Sequence, residues 1–129
     1  MEEIYLKIKT GVDIIEIDRV KKSIEETDGK FCERVYTQKE IEYCESKKAQ
    51  KYQHYAARFA GKEAVFKAIS ADLQSKYDIS WQDIEILNDE SGRPYVNMPE
   101  KHMQDVESID LSMSHCKEYA VANVVICYY

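Results

Sequence analysis

The chain has 129 residues, 33 % charged and 44 % hydrophobic, a balance that fits one globular domain and excludes a disordered tail. Its net charge of -6 argues against broad nucleic-acid binding, which needs a basic face. No apolar run approaches the roughly 20 residues of a membrane span, and the acidic, alternating MEEIYLKIKT at the N-terminus is unlike a secretory signal, so a cytoplasmic protein is expected.

Residues 4–9 alternate, with Ile4, Leu6 and Ile8 on one side and Tyr5, Lys7 and Lys9 on the other, which predicts a half-buried strand. Gly11 and the apolar Val12-Asp13-Ile14-Ile15 follow. A helix is predicted from about Glu16 to Glu26, ended by Asp28-Gly29. Thr37-Gln-Lys-Glu40 is a capping box that starts a second helix near Gln38. Residues 50–72 lack proline and are rich in Ala and Lys, predicting the main helix, slackened at Gly61. Residues 84–87 and 94–97 flank a polar loop as a hairpin. Residues 109–113 and the apolar run from Tyr119 to Tyr129 predict a second hairpin through Ser114–Glu118. Helices followed by strands indicate an α+β fold, a small antiparallel sheet packed against a long helix. Cys32, Cys44, Cys116 and Cys127 form no C-x-x-C pair and are expected to be reduced and mostly core. Cys44 or Cys116 as a nucleophile lacks an activating neighbour.

The chemistry-bearing candidates are carboxylates in apolar settings. On a helix Glu63 shares its face with Phe59 and Phe66, so an ionised carboxylate there needs a cation. A salt bridge to Lys67, four residues on, is the plain reading. Asp13, between Val12 and Ile14, reads as a helix N-cap or as a ligand. Two carboxylates without Cys or His suit Mg²⁺, which keeps waters and accepts substrate phosphate oxygens. Arg58 and Lys62, one helical turn apart, are either a solvated basic edge or phosphate donors. His115, in a turn, is either a surface residue or a group that donates to phosphate or takes a proton. His54 and His102 have no supporting context.

Taken in order, six segments resemble one family. They are Gly11-Val-Asp13-Ile-Ile-Glu16-Ile-Asp-Arg19, Phe31-x-x-Arg34-Val-Tyr-Thr37-x-x-Glu40 and Arg58-Phe-Ala-Gly-Lys62-Glu63-Ala-x-x-Lys67-Ala, then Asp83-Ile-Glu-Ile, Gly92-Arg-Pro-Tyr95 and Ser114-His115-x-x-x-Tyr119-Ala. The set is similar to holo-acyl-carrier-protein synthase, the short-chain type of 4'-phosphopantetheinyl transferase, from about residue 8 to 126. The resemblance implies transfer of 4'-phosphopantetheine from coenzyme A to a serine of an acyl carrier protein. It implies Mg²⁺ on Asp13 and Glu63, with Lys67 stabilising the phosphates. It places Arg58, Lys62 and His115 around the coenzyme A phosphates, and Glu63 and His115 among the groups able to take the serine proton. Arg19 matches a basic residue that meets the acidic carrier, and Lys21 and Lys22 extend its charge. A homotrimer with sites between subunits is also implied. A coenzyme A- or nucleotide-binding module without transfer is the alternative. Relatives often follow Lys-Ala with Gly-Thr-Gly, where this chain reads Ala68-Ile-Ser-Ala-Asp-Leu, so that side of the coenzyme A pocket is expected to differ.

Overall fold

The structure is a computed structural model that describes residues 7–70 and 78–129. Strand β1 (Lys7–Glu16) leads directly into helix α1 (Ile17–Glu26), followed by α2 (Lys30–Val35), α3 (Gln38–Glu45) and the long α4 (Lys51–Ile69). A short hairpin, β2 (Glu85–Asn88) and β3 (Pro94–Asn97), precedes the long hairpin of β4 (Val106–His115) and β5 (Tyr119–Tyr128). The expected α+β class holds. The three long strands form one antiparallel sheet in the order β1-β5-β4, and β2-β3 forms a second. The first half of the strand expected over residues 4–9 and the end of the helix expected to reach 72 fall outside the described residues.

Three local expectations need correction. The strand does not stop before Gly11. It continues through Val12–Ile15, because these residues pair in unbroken register with β5, Gly11 opposite Val124 and Asp13 opposite Ala122. Asp13 is therefore not a helix cap. The cap position of α1 is Glu16, which makes no side-chain capping bond. The helix over Lys30–Val35 has too few residues to show a period in sequence. The capping box at Thr37 and Glu40 forms as expected.

Helix α4 lies across one face of the long sheet, and its small residues decide how closely. Ala60, Ala64 and Ala68 are buried with Ala122, Val124 and Ile126 of β5 and Leu111 of β4. A second cluster joins Ala56 and Ala57 of α4 to Val20, Val35, Tyr36 and Cys44. Gly61 neither breaks nor slackens the helix. A Cβ there would stand 2.5 Å from Ile86 Cδ1, so its role is close packing beneath β2. Gly11 is more constrained still, because a Cβ there would lie 1.9 Å from the carbonyl oxygen of Ala64. Gly11 lets β1 touch α4 backbone to backbone, and Gly61 leaves room for side chains of β2 and β4 against the helix.

Among the described residues the opposite face of β1 and β5 carries no helix. Ile8, Val12, Ile14, Tyr119 and Val125 are exposed there, with Ile14 at 65 % and Val12 at 59 %. Among the described residues no helix is long and apolar enough to cross a membrane.

The close approach at Gly11 makes a quantitative expectation. Gly11→Ala should destabilise the protein by more than the ~1–3 kcal/mol typical of overpacking, because the obstacle is backbone. Gly61→Ala should cost less, since Ile86 Cδ1 is the end of a side chain that can turn. Urea unfolding of both variants checks the order, and an equal or smaller loss for Gly11→Ala contradicts it.

Candidate active site

Gly11 sets the position of Asp13. Two residues further along the strand, Asp13 faces the same way and meets α4 one turn beyond Ala64. Its Oδ1 accepts a hydrogen bond from Lys67 Nζ at 3.0 Å, and Lys67 also donates to the carbonyl oxygen of Val12 at 3.1 Å. Lys67 is half exposed, and the Asp13 side chain is 16 % exposed. Glu63, one turn before Lys67, is half buried. Its carboxyl is pushed above the usual carboxylate range by burial first and by the Asp13 carboxylate second, with Lys67 opposing both. The two acids are thus close enough to repel each other. The expected Glu63–Lys67 salt bridge does not form, because Lys67 is drawn to Asp13.

Two mutually repelling carboxylates, with a lysine bridged to only one of them, form a site that a divalent cation would relieve. No third His, Cys, Asp or Glu joins them among the described residues. A cation held here would take its remaining oxygens from water and from a ligand, the habit of Mg²⁺. Glu63 also borders an open cavity of about 420 Å³ lined by Lys62, Phe66, Ile79, Ser80, Trp81 and Ile84. Phe59 is not in a core stripe as its spacing implied. It is half buried between Trp81, at 5.0 Å, and Phe31, at 5.9 Å.

Lys62 must be removed from the phosphate-binding set. It is 0 % exposed, and all three ammonium donors are used: to Glu40 Oε1 at 2.7 Å, the Trp81 carbonyl at 3.0 Å and the Ile84 carbonyl at 2.6 Å. Glu40, also 0 % exposed, accepts in addition from the backbone N–H of Thr37 and of Ile86. The pair locks α3, α4 and β2 together behind the groove. Burial pulls the Lys62 ammonium below its usual pKa, and Glu40 restores part of the loss. The capping motif revealed Glu40 only as a cap, and nothing local in sequence announces its distant lysine. The solvated-edge reading of Arg58 and Lys62 also fails, since Arg58 is only 2 % exposed.

Arg58 and His115 both lie near His54, and Arg58 precedes Glu63 by five residues, about 7.5 Å along α4. The Arg58 guanidinium sits 4.1 Å over the Tyr43 ring and donates to Asn88 Oδ1. His115, exposed at the end of β4, meets the ring of His54 at 5.7 Å. His54 and Glu63 are nine residues apart on α4, about 14 Å along its axis. One chain therefore carries two clusters: Asp13, Glu63 and Lys67 in one, Arg58, His54 and His115 in the other. Position reveals His54, which lies one helical turn before Arg58.

Arg19, Lys21 and Lys22 are exposed on α1, as a docking face requires. Lys22 pairs with Asp18 at 3.1 Å and Lys21 lies 5.4 Å over the Tyr52 ring. All four cysteines are free, but only Cys44 is buried, correcting the expectation that most are core. Burial pushes the Cys44 thiol up to about 12, which removes it as a nucleophile.

A family model described as the 4'-phosphopantetheinyl transferase superfamily matches residues 9–124. The holo-[acyl-carrier-protein] synthase of Ruminiclostridium cellulolyticum is 48 % identical over 126 residues, covering 94 % of this chain and 92 % of that protein. Among solved structures, the holo-(acyl-carrier-protein) synthase of Bacillus anthracis in complex with CoA (3',5'-ADP) is 32 % identical. It superposes with a TM-score of 0.80 over 97 % of this chain and 100 % of its own. The Helicobacter pylori holo-[acyl-carrier-protein] synthase in complex with coenzyme A is 30 % identical, with a TM-score of 0.80 over 91 % of this chain and 98 % of its own.

The two lysines of α4 are expected to separate in their effects. Lys62→Met leaves Glu40 buried and unpaired, a loss of roughly 3–5 kcal/mol. Lys67→Met breaks a half-exposed pair worth about 1 kcal/mol or less. Chemical denaturation of the two variants checks this, and a Lys62→Met loss no larger than that of Lys67→Met would return Lys62 to the site.

Proposed function

The chain belongs to the 4'-phosphopantetheinyl transferase superfamily, and we propose that it transfers the 4'-phosphopantetheine group from coenzyme A to a serine of an apo-acyl carrier protein. The serine oxygen forms its bond to the phosphorus that carries pantetheine, the bond from that phosphorus to 3',5'-ADP breaks, and the serine proton passes to a basic group. The observation that carries this reading is the meeting of Asp13, Glu63 and Lys67 at the mouth of the groove. Asp13 and Glu63 would hold Mg²⁺, which supplies charge neutralisation for a pyrophosphate. Lys67, free to turn from Asp13 once that carboxylate has another cation, offsets charge on the leaving phosphate. Within one chain Glu63 is the basic group at hand for the serine proton, because His115 lies in the other cluster.

Arg58 and His115 are assigned to a phosphate of coenzyme A remote from the bond that breaks, and Arg19, Lys21 and Lys22 to an acidic carrier. We assign the uncovered face of β1 and β5 to a homotrimer interface. Its adjoining apolar residues are the kind of surface that seeks a partner. Separation of the two clusters along α4 fits a site completed between subunits. We assign the enzyme to the cytoplasm, supplying holo-carrier protein to fatty-acid synthesis.

Mass spectrometry of an apo-carrier incubated with coenzyme A and Mg²⁺ tests the reaction. Holo-carrier and 3',5'-ADP should appear, and Asp13→Asn and Glu63→Gln should each slow the transfer by on the order of a hundredfold or more. Binding of coenzyme A without release of 3',5'-ADP would leave only a binding module, and near-native rates in both variants would refute the metal site.

The two surfaces have separate readouts. Arg19→Glu should raise KM for the carrier and leave KM for coenzyme A unchanged. Ile14→Asp should lower the mass seen by light scattering to that of a monomer and abolish transfer. An unchanged carrier KM, or an active trimer carrying Asp at position 14, would place the respective surface elsewhere.

A further inference from the structure

A cavity of about 420 Å³ lies at the end of the molecule remote from Asp13. It is bordered by Lys7 at the start of β1, Ile69 at the end of α4, Tyr128 at the end of β5, and Lys101, His102 and Asp105 of the β3–β4 connection. Strand β1 pairs with β5 in unbroken register, so Lys7 and Lys9 face the same side of the sheet as Asp13. Six residues of strand separate Lys7 from Asp13, about 20 Å. The cavity is therefore separate from the groove mouth at Glu63. It lies on the α4 side of the sheet, away from the uncovered face.

Positive charge converges on this cavity, in a chain whose net charge is -6. The ammonium groups of Lys7 and Lys9 each stand 5.7 Å from the centre of the Tyr128 ring. Tyr128 is buried at the edge of the core, and its ring draws both cations to one place. Lys101, exposed, adds a third from the β3–β4 connection. Against these, Asp105 supplies one carboxylate, and the C-terminal end of α4 a partial negative charge of about half a unit. The lining thus carries more positive charge than negative. His102 also borders the cavity, and its buried Nε2 has no hydrogen-bond partner among the described residues. A buried nitrogen in that state calls for a partner. An oxyanion that can both accept and donate would supply one and offset the gathered charge.

We infer that this cavity is a second ligand site, distinct from the candidate active site, for a small oxyanion of the phosphate class. The inference stands on the lining alone and does not need the transferase reading. An ammonium group has three donors, so a lysine held at the tyrosine ring keeps donors for a ligand oxygen. The volume lies within the range of small-molecule sites, which leaves room for a phosphomonoester as well as for phosphate itself. A bound anion would bridge the start of β1 and the β3–β4 connection, two segments that are far apart in the chain.

Site-resolved NMR of the deuterated, ¹⁵N-labelled protein tests this. Inorganic phosphate is titrated at constant ionic strength, beside parallel series of glycerol 3-phosphate and of sodium chloride alone. The amide signals of Lys7, Lys101 and His102 should follow saturating curves with phosphate and stay put with chloride. Lys101→Gln and Lys7→Gln should each weaken that binding roughly two- to fivefold, the worth of one exposed ion pair. Saturation at a lower concentration of glycerol 3-phosphate than of phosphate would identify the occupant as a phosphomonoester, and the reverse order as the free ion. Shifts that grow linearly, or that chloride reproduces, mark simple screening and overturn the inference. So do saturating shifts confined to the surroundings of Arg58 and His115, or a Lys101→Gln variant that binds phosphate as the wild type does. Lys101 is exposed and lies outside the strands, so that variant decides the matter even where Lys7→Gln disturbs β1.

Discussion

The contact between Gly11 and the Ala64 carbonyl governs the geometry of the candidate active site. A strand normally keeps a side chain's width from a helix packed on its face. Here that width is absent at one residue, and β1 touches the backbone of α4. Asp13, two residues along, is therefore carried onto the turn of α4 that holds Glu63 and Lys67. Any side chain at position 11 would lift the strand and separate the two acids, whatever their own chemistry. The alanines of α4 complete the same device, letting the helix settle along β5. Packing and catalysis share one constraint.

Behind the groove, the opposite choice has been made. Lys62 and Glu40 are fully buried ions, and burying a pair is costly unless every remaining donor and acceptor is satisfied. Here they are satisfied: two carbonyls complete the ammonium, and two backbone N–H groups complete the carboxylate. One of those carbonyls belongs to Trp81 and the other to Ile84, both of which line the cavity beside Glu63. The buried charge thus fixes a wall that has no regular strand or long helix to hold it. A hydrophobic pair of equal volume could fill the space but would leave those backbone groups without partners.

What could be read from the sequence was what is decided locally or by period. The capping box at Thr37, the long helix and both hairpins follow from spacing over a few residues, and the structure repeats them with boundaries shifted by one to three positions. Asp13 shows the limit. Its neighbours allow either a cap or a strand, and pairing with Ala122, more than a hundred residues away, decides between them. Lys62 and Lys67 show another. Both lie on one helix near one glutamate, but five residues turn them about 140° apart at 3.6 residues per turn. One points into the protein and the other to the groove mouth. No local signal distinguishes the burial of the first, because its partner Glu40 is a cap by motif and a counter-ion only by fold. His54 was illegible for the same reason, since its meaning comes from a strand that ends at His115.

The separation of charge along α4 has a consequence for how the site works as a whole. Coenzyme A is long and carries anionic groups at two places, and on the proposed reading the helix would present two sites of different kind to match. At one end are carboxylates that need a cation. Near the other, His54 and Arg58 lie with His115 of β4 and Lys47, a positive group of side chains that an anion would offset. A single cluster of mixed charge would neutralise itself, as Asp13 and Lys67 already begin to do. On the rigid helix His54 stands about 14 Å and Arg58 about 7.5 Å from Glu63, which opposes that collapse. Because the uncovered sheet face includes β1, the strand that carries Asp13, contacts between copies would act directly on the acid cluster. Assembly would then set the distance between a metal site and a phosphate site with the accuracy of packed secondary structure. Flexible loops would fix that distance less well, and the reaction depends on holding one phosphorus between two positioned groups.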